Sequence, residues 1–108
     1  MKQYQVLLTE SAVKDLGQIH DFYLMTASEP VARALIDKLE LALLQLAQFP
    51  ERGKVIPKIS QQSGRQYLQI LPEPFRLIFH IEQQTVYVSL LLHQRQSIQK
   101  ALQNRLLQ

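Results

Sequence analysis

The spacing of apolar and polar positions changes period about half-way along the chain. Residues 3–8, "QYQVLL", alternate and predict a short first strand. Ala12, Leu16, Ile19 and Tyr23 then recur at intervals of four, three and four, the stripe of an amphipathic helix. Thr9 stands where its N-cap belongs and Glu10 in its first turn, where the helix dipole favours a carboxylate. The stripe runs out near "TASEP", where Ser28 can cap a second helix and Pro30 is tolerated in the first turn. That helix keeps Leu35, Leu39, Ala42, Leu46 and Phe49 on one seam, and Ile36, Leu43 and Ala47 widen it. So broad an arc belongs to a helix that packs on a neighbouring helix and a sheet together. Pro50 and Gly53 end it, and the short connection before it makes the two helices an antiparallel hairpin.

From residue 66 the period falls to two. Strands are predicted over 66–71, 75–82 and 85–93, the last two joined by a turn at Gln83-Gln84. Between hairpin and strands, "PERGKVIPKISQQSGR" (50–65) reads as a long link with Arg52, Lys54, Lys58 and Arg65 against Glu51, either a working loop or a solvated linker. Ile98, Leu102 and Leu106, with Ala101 beside them, predict a closing helix over 96–107. The order is β-α-α-β-β-β with a terminal α, an α+β fold in one domain over 1–108.

Centring the turn on Gln83-Gln84 sets Ile81 opposite Val86, Phe79 opposite Val88, Leu77 opposite Leu90 and Phe75 opposite Leu92. Every pair is apolar, so this face is expected to pack on the helices. The reverse face then carries Arg76, Ile78 and His80 on one strand, and Tyr87, Ser89, Leu91 and His93 on the next. Arg76 is expected opposite Leu91 with Ser89 and His93 on its diagonals, His80 opposite Tyr87, and Arg95 just past the strand end. Tyr67 and Gln69 join from the third strand.

This mixed face admits three readings. His93 can move a proton while Arg76 and Arg95 neutralise a phosphate, as in a metal-independent ribonuclease. Arg76 can clamp a carboxylate or phosphate of a binding partner. Or Arg76 can pair with Glu73 or Glu82 while the histidines are solvated. Charge adds some weight to a binding role: residues 1–50 hold four basic and six acidic side chains, and residues 51–108 hold eight and three. An acidic partner or polyanion would be drawn to the second half. Three isolated histidines without ligand spacing predict no metal site and no cofactor. The chain has no cysteine, which excludes a disulfide framework and a thiol nucleophile. No segment suits a signal peptide or membrane span, so a cytoplasmic chain with no membrane partner is expected.

Three stretches, "YQVLLTESAVKDLGQIHDFY", "ARALIDKLELALLQLAQFPERGKVIPKI" and "PFRLIFHIEQQTVYVSLLLHQR", resemble the ParE branch of the RelE/ParE toxin superfamily. The landmarks are Ala12, Asp15 and Leu16 at the first helix, Phe49-Pro50 at the hairpin end, Phe75-Arg76, and His93 with Arg95. The resemblance implies a helical hairpin packed on one face of a small antiparallel sheet. It also implies a toxin of a type II toxin–antitoxin module, in a homodimer or a toxin–antitoxin hetero-oligomer. A cognate antitoxin would neutralise it, for which Leu24, Met25, Ile36 and Leu43 are the candidate contacts.

Two activities divide such toxins. ParE-like members poison DNA gyrase; RelE-like members cleave messenger RNA on the ribosome. Leu68, Gln69 and Ile70 stand where RelE-type lysines precede the arginine strand, and "QSIQKALQ" after Arg95 supplies neither Tyr nor His. Phe79 and His80 stand where an aromatic Tyr and a basic residue are common in the superfamily, a departure that bears on potency and not on the choice of target. The gyrase-directed reading is therefore expected, with Arg65, Arg76, His80, Tyr87, Ser89, His93 and Arg95 as target contacts. The alternatives are a ribonuclease using Arg76, His93 and Arg95 as catalytic residues, and an inactive homologue serving only as an interaction module. Arg76→Ala is expected to leave the fold intact while reducing toxicity.

Overall fold

The computed structural model describes residues 3–106. The elements, in order, are β1 (Gln5–Leu8), α1 (Glu10–Thr26), α2 (Glu29–Gln48), a 3₁₀ turn (Pro50–Arg52), β2 (Lys54–Val55), α3 (Pro57–Ser63), β3 (Leu68–Ile70), β4 (Phe75–Glu82), β5 (Thr85–His93) and α4 (Ile98–Leu106). Both predicted caps are made: Thr9 Oγ1 accepts from the Ala12 N–H at 3.1 Å, and Ser28 Oγ from the Val31 N–H at 3.2 Å. Each satisfies a donor that the first helical turn would otherwise leave unpaired.

The sheet runs β1-β5-β4-β3-β2, and α1 and α2 cover one face of it. Its last four strands pair antiparallel, whereas β1 lies parallel to β5, with Val6 beside Val86 and Leu8 beside Val88. The sheet is thus mixed rather than wholly antiparallel; parallel neighbours need a long crossover, and here nearly the whole chain lies between them. Under the hairpin, Ala12, Leu39 and Leu46 pack on Leu68, Phe75, Leu77, Phe79, Val86, Val88 and Leu91. Burying one such large side chain contributes about 1.5–3 kcal/mol.

Residues 50–65 are not an open link. They hold the 3₁₀ turn, edge strand β2 and helix α3, which ends at Gly64 in the left-handed conformation (φ 71°). Ile56 and Ile59 are buried there and, with Tyr67, cover the far face of the sheet against Ile78, Leu90 and Leu92. Ile98 and Ala101 of α4 complete this second, smaller core. Leu107 lies outside the described residues, as do the side chains of Leu102 and Leu106 in the predicted terminal stripe. No helix among the described residues is long and apolar enough to cross a membrane.

Candidate functional site

The β4–β5 pairing follows the expected register from the turn as far as Phe79 beside Val88, and His80 does face Tyr87. There Ser89 enters as an extra residue. Ile78 pairs with Leu90, Leu77 with Leu91, Arg76 with Leu92 and Phe75 with His93. The expected pairs Leu77–Leu90 and Phe75–Leu92 are not formed, and Arg76 does not oppose Leu91. A bulge moves each later residue of its strand by one position, which exchanges the two faces. Leu90 and Leu92 turn to the far face, and Leu91 and His93 to the helix side.

This bulge has identifiable supports. β1 stops at Leu8, leaving the outer edge of residues 89–93 without a strand neighbour. Asp15 of α1 takes that place: its carboxylate accepts from the Leu91 N–H at 3.0 Å. Arg105 of α4 donates to both Asp15 oxygens at 2.5 Å and to the Ser89 carbonyl. Two backbone groups along this edge, the Leu91 N–H and the Ser89 carbonyl, are thereby satisfied, as a buried ladder requires. Arg105 was not among the residues singled out from sequence; it lies 90 positions from Asp15.

The predicted site residues separate into two groups. On the far face, the Arg76 guanidinium donates to Gln69 Oε1 at 2.5 Å and to the Gln94 carbonyl at 3.5 Å. Arg76 therefore ties the segment after β5 to β3, and its buried Nε has no partner among the described residues. The sequence-based pairings with Glu73 or Glu82 are not made; Glu82 instead bonds Arg65 at 3.2 Å. These contacts add a stability cost to the expectation for Arg76→Ala. The substitution should lower stability by about 1–2 kcal/mol, read by urea denaturation, because it strands the Gln69 amide and the Gln94 carbonyl.

His80 is buried, 6% exposed. Its ring stacks on Tyr87 with centroids 5.1 Å apart and meets the edge of Tyr67 at 5.7 Å. Nε2 lies 3.1 Å from Glu82 Oε1, so the neutral ring donates there and leaves Nδ1 as a buried lone pair. Burial lowers its pKa below the ordinary 6.5, the nearby Arg65 adds to this, and Glu82 only partly offsets them. The unfolded chain then takes up a proton at higher pH than the folded one. The stability involved is fully present above about 6.5 and is lost as pH falls toward the folded pKa. Melting temperature should accordingly drop between about pH 7.5 and pH 5. His80→Phe, which keeps the stacking but cannot titrate, should flatten that slope; an unchanged slope would rule His80 out as its source.

On the helix side, His93 meets Phe75 edge to face at 6.2 Å, and its Nδ1 accepts from the Arg95 N–H at 3.2 Å. Arg65 and Arg95 are exposed, and Ser89 contributes its carbonyl to the bulge. A cavity of about 350 Å³ opens here between α1 and the end of β5, lined by Asp15, Ile19, Phe22, Tyr23, Phe75, Leu91, Leu92, His93 and neighbouring glutamines. Among the described residues no three His, Asp or Glu side chains gather as metal ligands.

The candidate antitoxin contacts are likewise spread out. Leu24 and Met25 are exposed near the end of α1, Met25 by 86%. Ile36 is half-buried against the main core, and Leu43 lines a groove between α2 and β1 with Val6, Leu8 and Leu44. Phe22, Leu41 and Leu44, each more than half exposed, fall outside the helical stripes, so no periodic signal marks them.

A family profile described as the ParE toxin of the type II toxin-antitoxin system, parDE, matches residues 6–98. The chain belongs to the ParE toxin family. A search of curated proteins finds no match. Among solved structures, a chain of the chromosomal ParDE TA system from P. aeruginosa superposes with a TM-score of 0.67. It is 19% identical, and the alignment covers 86% of this chain and 98% of that one. The ParE match runs from β1 to the first residue of α4, so it contains Asp15 and the bulge but not Arg105.

Proposed function

We propose that this ParE family chain, acting as one cytoplasmic domain, is a toxin that inhibits DNA gyrase and is neutralised by a cognate antitoxin in a hetero-oligomer. The observation that carries the gyrase reading over ribonuclease is the separation of Arg76 and His93. General acid–base cleavage needs a proton-transfer group and a charge-stabilising group converging on one phosphate. Here Arg76 is committed to Gln69 and Gln94 on the far face, and His93 lies on the helix side with Phe75, so of the two candidate arginines only Arg95 stays beside His93. A protein that acts by binding needs no such convergence.

For target contact we favour the exposed guanidinium groups of Arg65 and Arg95, with His80, Tyr87 and Ser89 shaping the surface from beneath. For the antitoxin we favour the exposed apolar side chains Leu24 and Met25, together with the groove at Leu43. The test is induced expression of this chain alone in bacteria, with DNA and protein synthesis followed by pulse-labelling side by side. DNA synthesis is expected to fail first, and purified protein to inhibit gyrase supercoiling. If protein synthesis fails first, the target is the ribosome and the gyrase reading is wrong.

A further inference from the structure

Residues 56–67 form a cover on the far face of the sheet, and the side chain beneath it is His80. The cover is closed on itself through Tyr67. The Tyr67 carbonyl accepts from the Ile56 N–H at 2.8 Å, the Tyr67 N–H donates to Ser60 Oγ at 2.9 Å, and the Ser60 hydroxyl donates to the Ile56 carbonyl at 2.7 Å. Helix α3 within it has seven residues, too few to persist without packing. Ile56, Ile59 and Tyr67 hold the cover on the smaller core, and Arg65 ties its end to Glu82. That ion pair is about half exposed on both sides and adds little.

The His80 side chain is only 8% exposed. Its charged and titratable neighbours are Glu82 on its own strand, Arg65 behind α3, Tyr67 ahead of β3 and Tyr87 on β5. None supplies an acceptor for a second ring proton. Glu82 already bonds Nε2, and the Tyr87 ring lies nearly parallel, at 17°, so an N–H in the imidazole plane points past it. Nδ1 is buried without a partner among the described residues. A proton there creates a buried donor and a buried charge, which water must satisfy. The opposite side of the sheet is sealed by Phe79 and the main core, so water reaches the ring by way of the cover.

We propose that residues 56–67 are a proton-gated cover: protonation of His80 releases α3 and Tyr67 from the sheet while α1, α2 and the main core stay folded. Arg65, favoured above for target contact, leaves Glu82 in the same step, so the cover couples that surface to pH. The cover itself does not rest on the toxin reading, and its test needs no measure of toxicity.

The experiment is amide hydrogen exchange of the full chain by NMR between about pH 7.5 and about pH 5, without urea and in about 1 M urea, each rate divided by its unfolded-chain value. The Ser60 and Gly64 amides, which donate to the Ile56 and Ser60 carbonyls, report on α3. They should lose up to about tenfold in protection per pH unit below about 6.5, levelling off where the His80 ring itself titrates. Urea should hardly affect them, because a local opening exposes little surface. The amides of Leu39 and Leu46 in α2 should lose protection in urea throughout, because they open with the whole domain. His80→Phe should abolish the pH response of Ser60 and Gly64. A thermal melt verifies that this variant folds, and the ring titration in the parent protein gives the same test without a variant. Ser60 and Gly64 responding to urea as Leu39 does would overturn the proposal, since the cover would have no opening of its own. So would an absent pH response, one that survives in His80→Phe, or one that ends away from the His80 titration.

Discussion

Asp15→Ala should lower the unfolding free energy by about 3 kcal/mol, a large fraction of what a domain of this size possesses. Asp15 serves two groups at once: the Leu91 N–H and, through both oxygens, the Arg105 guanidinium that also holds the Ser89 carbonyl. The side chains of Asp15 and Arg105 are only 14% and 23% exposed, so water replaces little of what is lost. Removing the carboxylate leaves a strand N–H and a guanidinium short of partners, and breaking a largely buried pair from one side is the expensive case. Arg105→Ala should cost less, about 1–2 kcal/mol, because Asp15 keeps the Leu91 N–H. The double variant should fall short of the sum, as contacting partners do. Urea denaturation of the two single variants and the double measures all three terms. A change within about 0.5 kcal/mol for Asp15→Ala would mean that this contact holds neither the bulge nor α4.

The elements whose signal is local were legible in the sequence. Thr9 and Ser28 cap α1 and α2 as their places in the sequence predict, and Leu39, Ala42 and Leu46 of the predicted α2 seam are buried, with Leu35 half-buried and Phe49, at the helix end, exposed. The β4–β5 register was legible only where alternation persists, from Phe79–Val88 to the turn. Beyond it stand three leucines in a row, 90 to 92, all buried. A run without alternation is the mark of a strand covered on both faces, and a bulge lets consecutive leucines serve both cores. The second cover comes from Ile56, Ile59 and Ile98, in segments whose role no local pattern announces. The 50–65 stretch did carry helix punctuation, Pro57 in the first turn and Gly64 at the end, within a basic composition that reads as solvated. The Asp15–Arg105 pair leaves no trace in spacing, since charge partners 90 residues apart have no period. For the candidate site the consequence is direct. Arg76 and His93 share a face only if the strand is regular, and Ser89 breaks it.

Gly53→Ala is the second substitution expected to be costly, by about 1–3 kcal/mol, for a reason of space rather than backbone freedom. Gly53 has φ −64° and ψ 151°, a conformation open to any residue. A methyl group there would lie 2.7 Å from Phe79 Cζ, 3.1 Å from Cε1 and 3.2 Å from Leu68 Cβ. Phe79 is fully buried in the main core beside Leu68, its β3 partner, so its ring has no room to retreat. The chain must pass this close because the 3₁₀ turn after α2 leads directly to β2, which pairs with β3. The other glycines give internal controls. Gly17, in mid-helix with nothing near its missing Cβ, should gain up to about 1 kcal/mol as alanine. Gly64 also has open space, but its φ of 71° should cost alanine about 1 kcal/mol. Steric conflict at residue 53 predicts one further result: in a Phe79→Leu background, Gly53→Ala should cost clearly less than in the parent, because the ring it meets is gone. Denaturation of the four proteins in that cycle decides it. An equal cost in both backgrounds would show that Phe79 does not set the need for glycine.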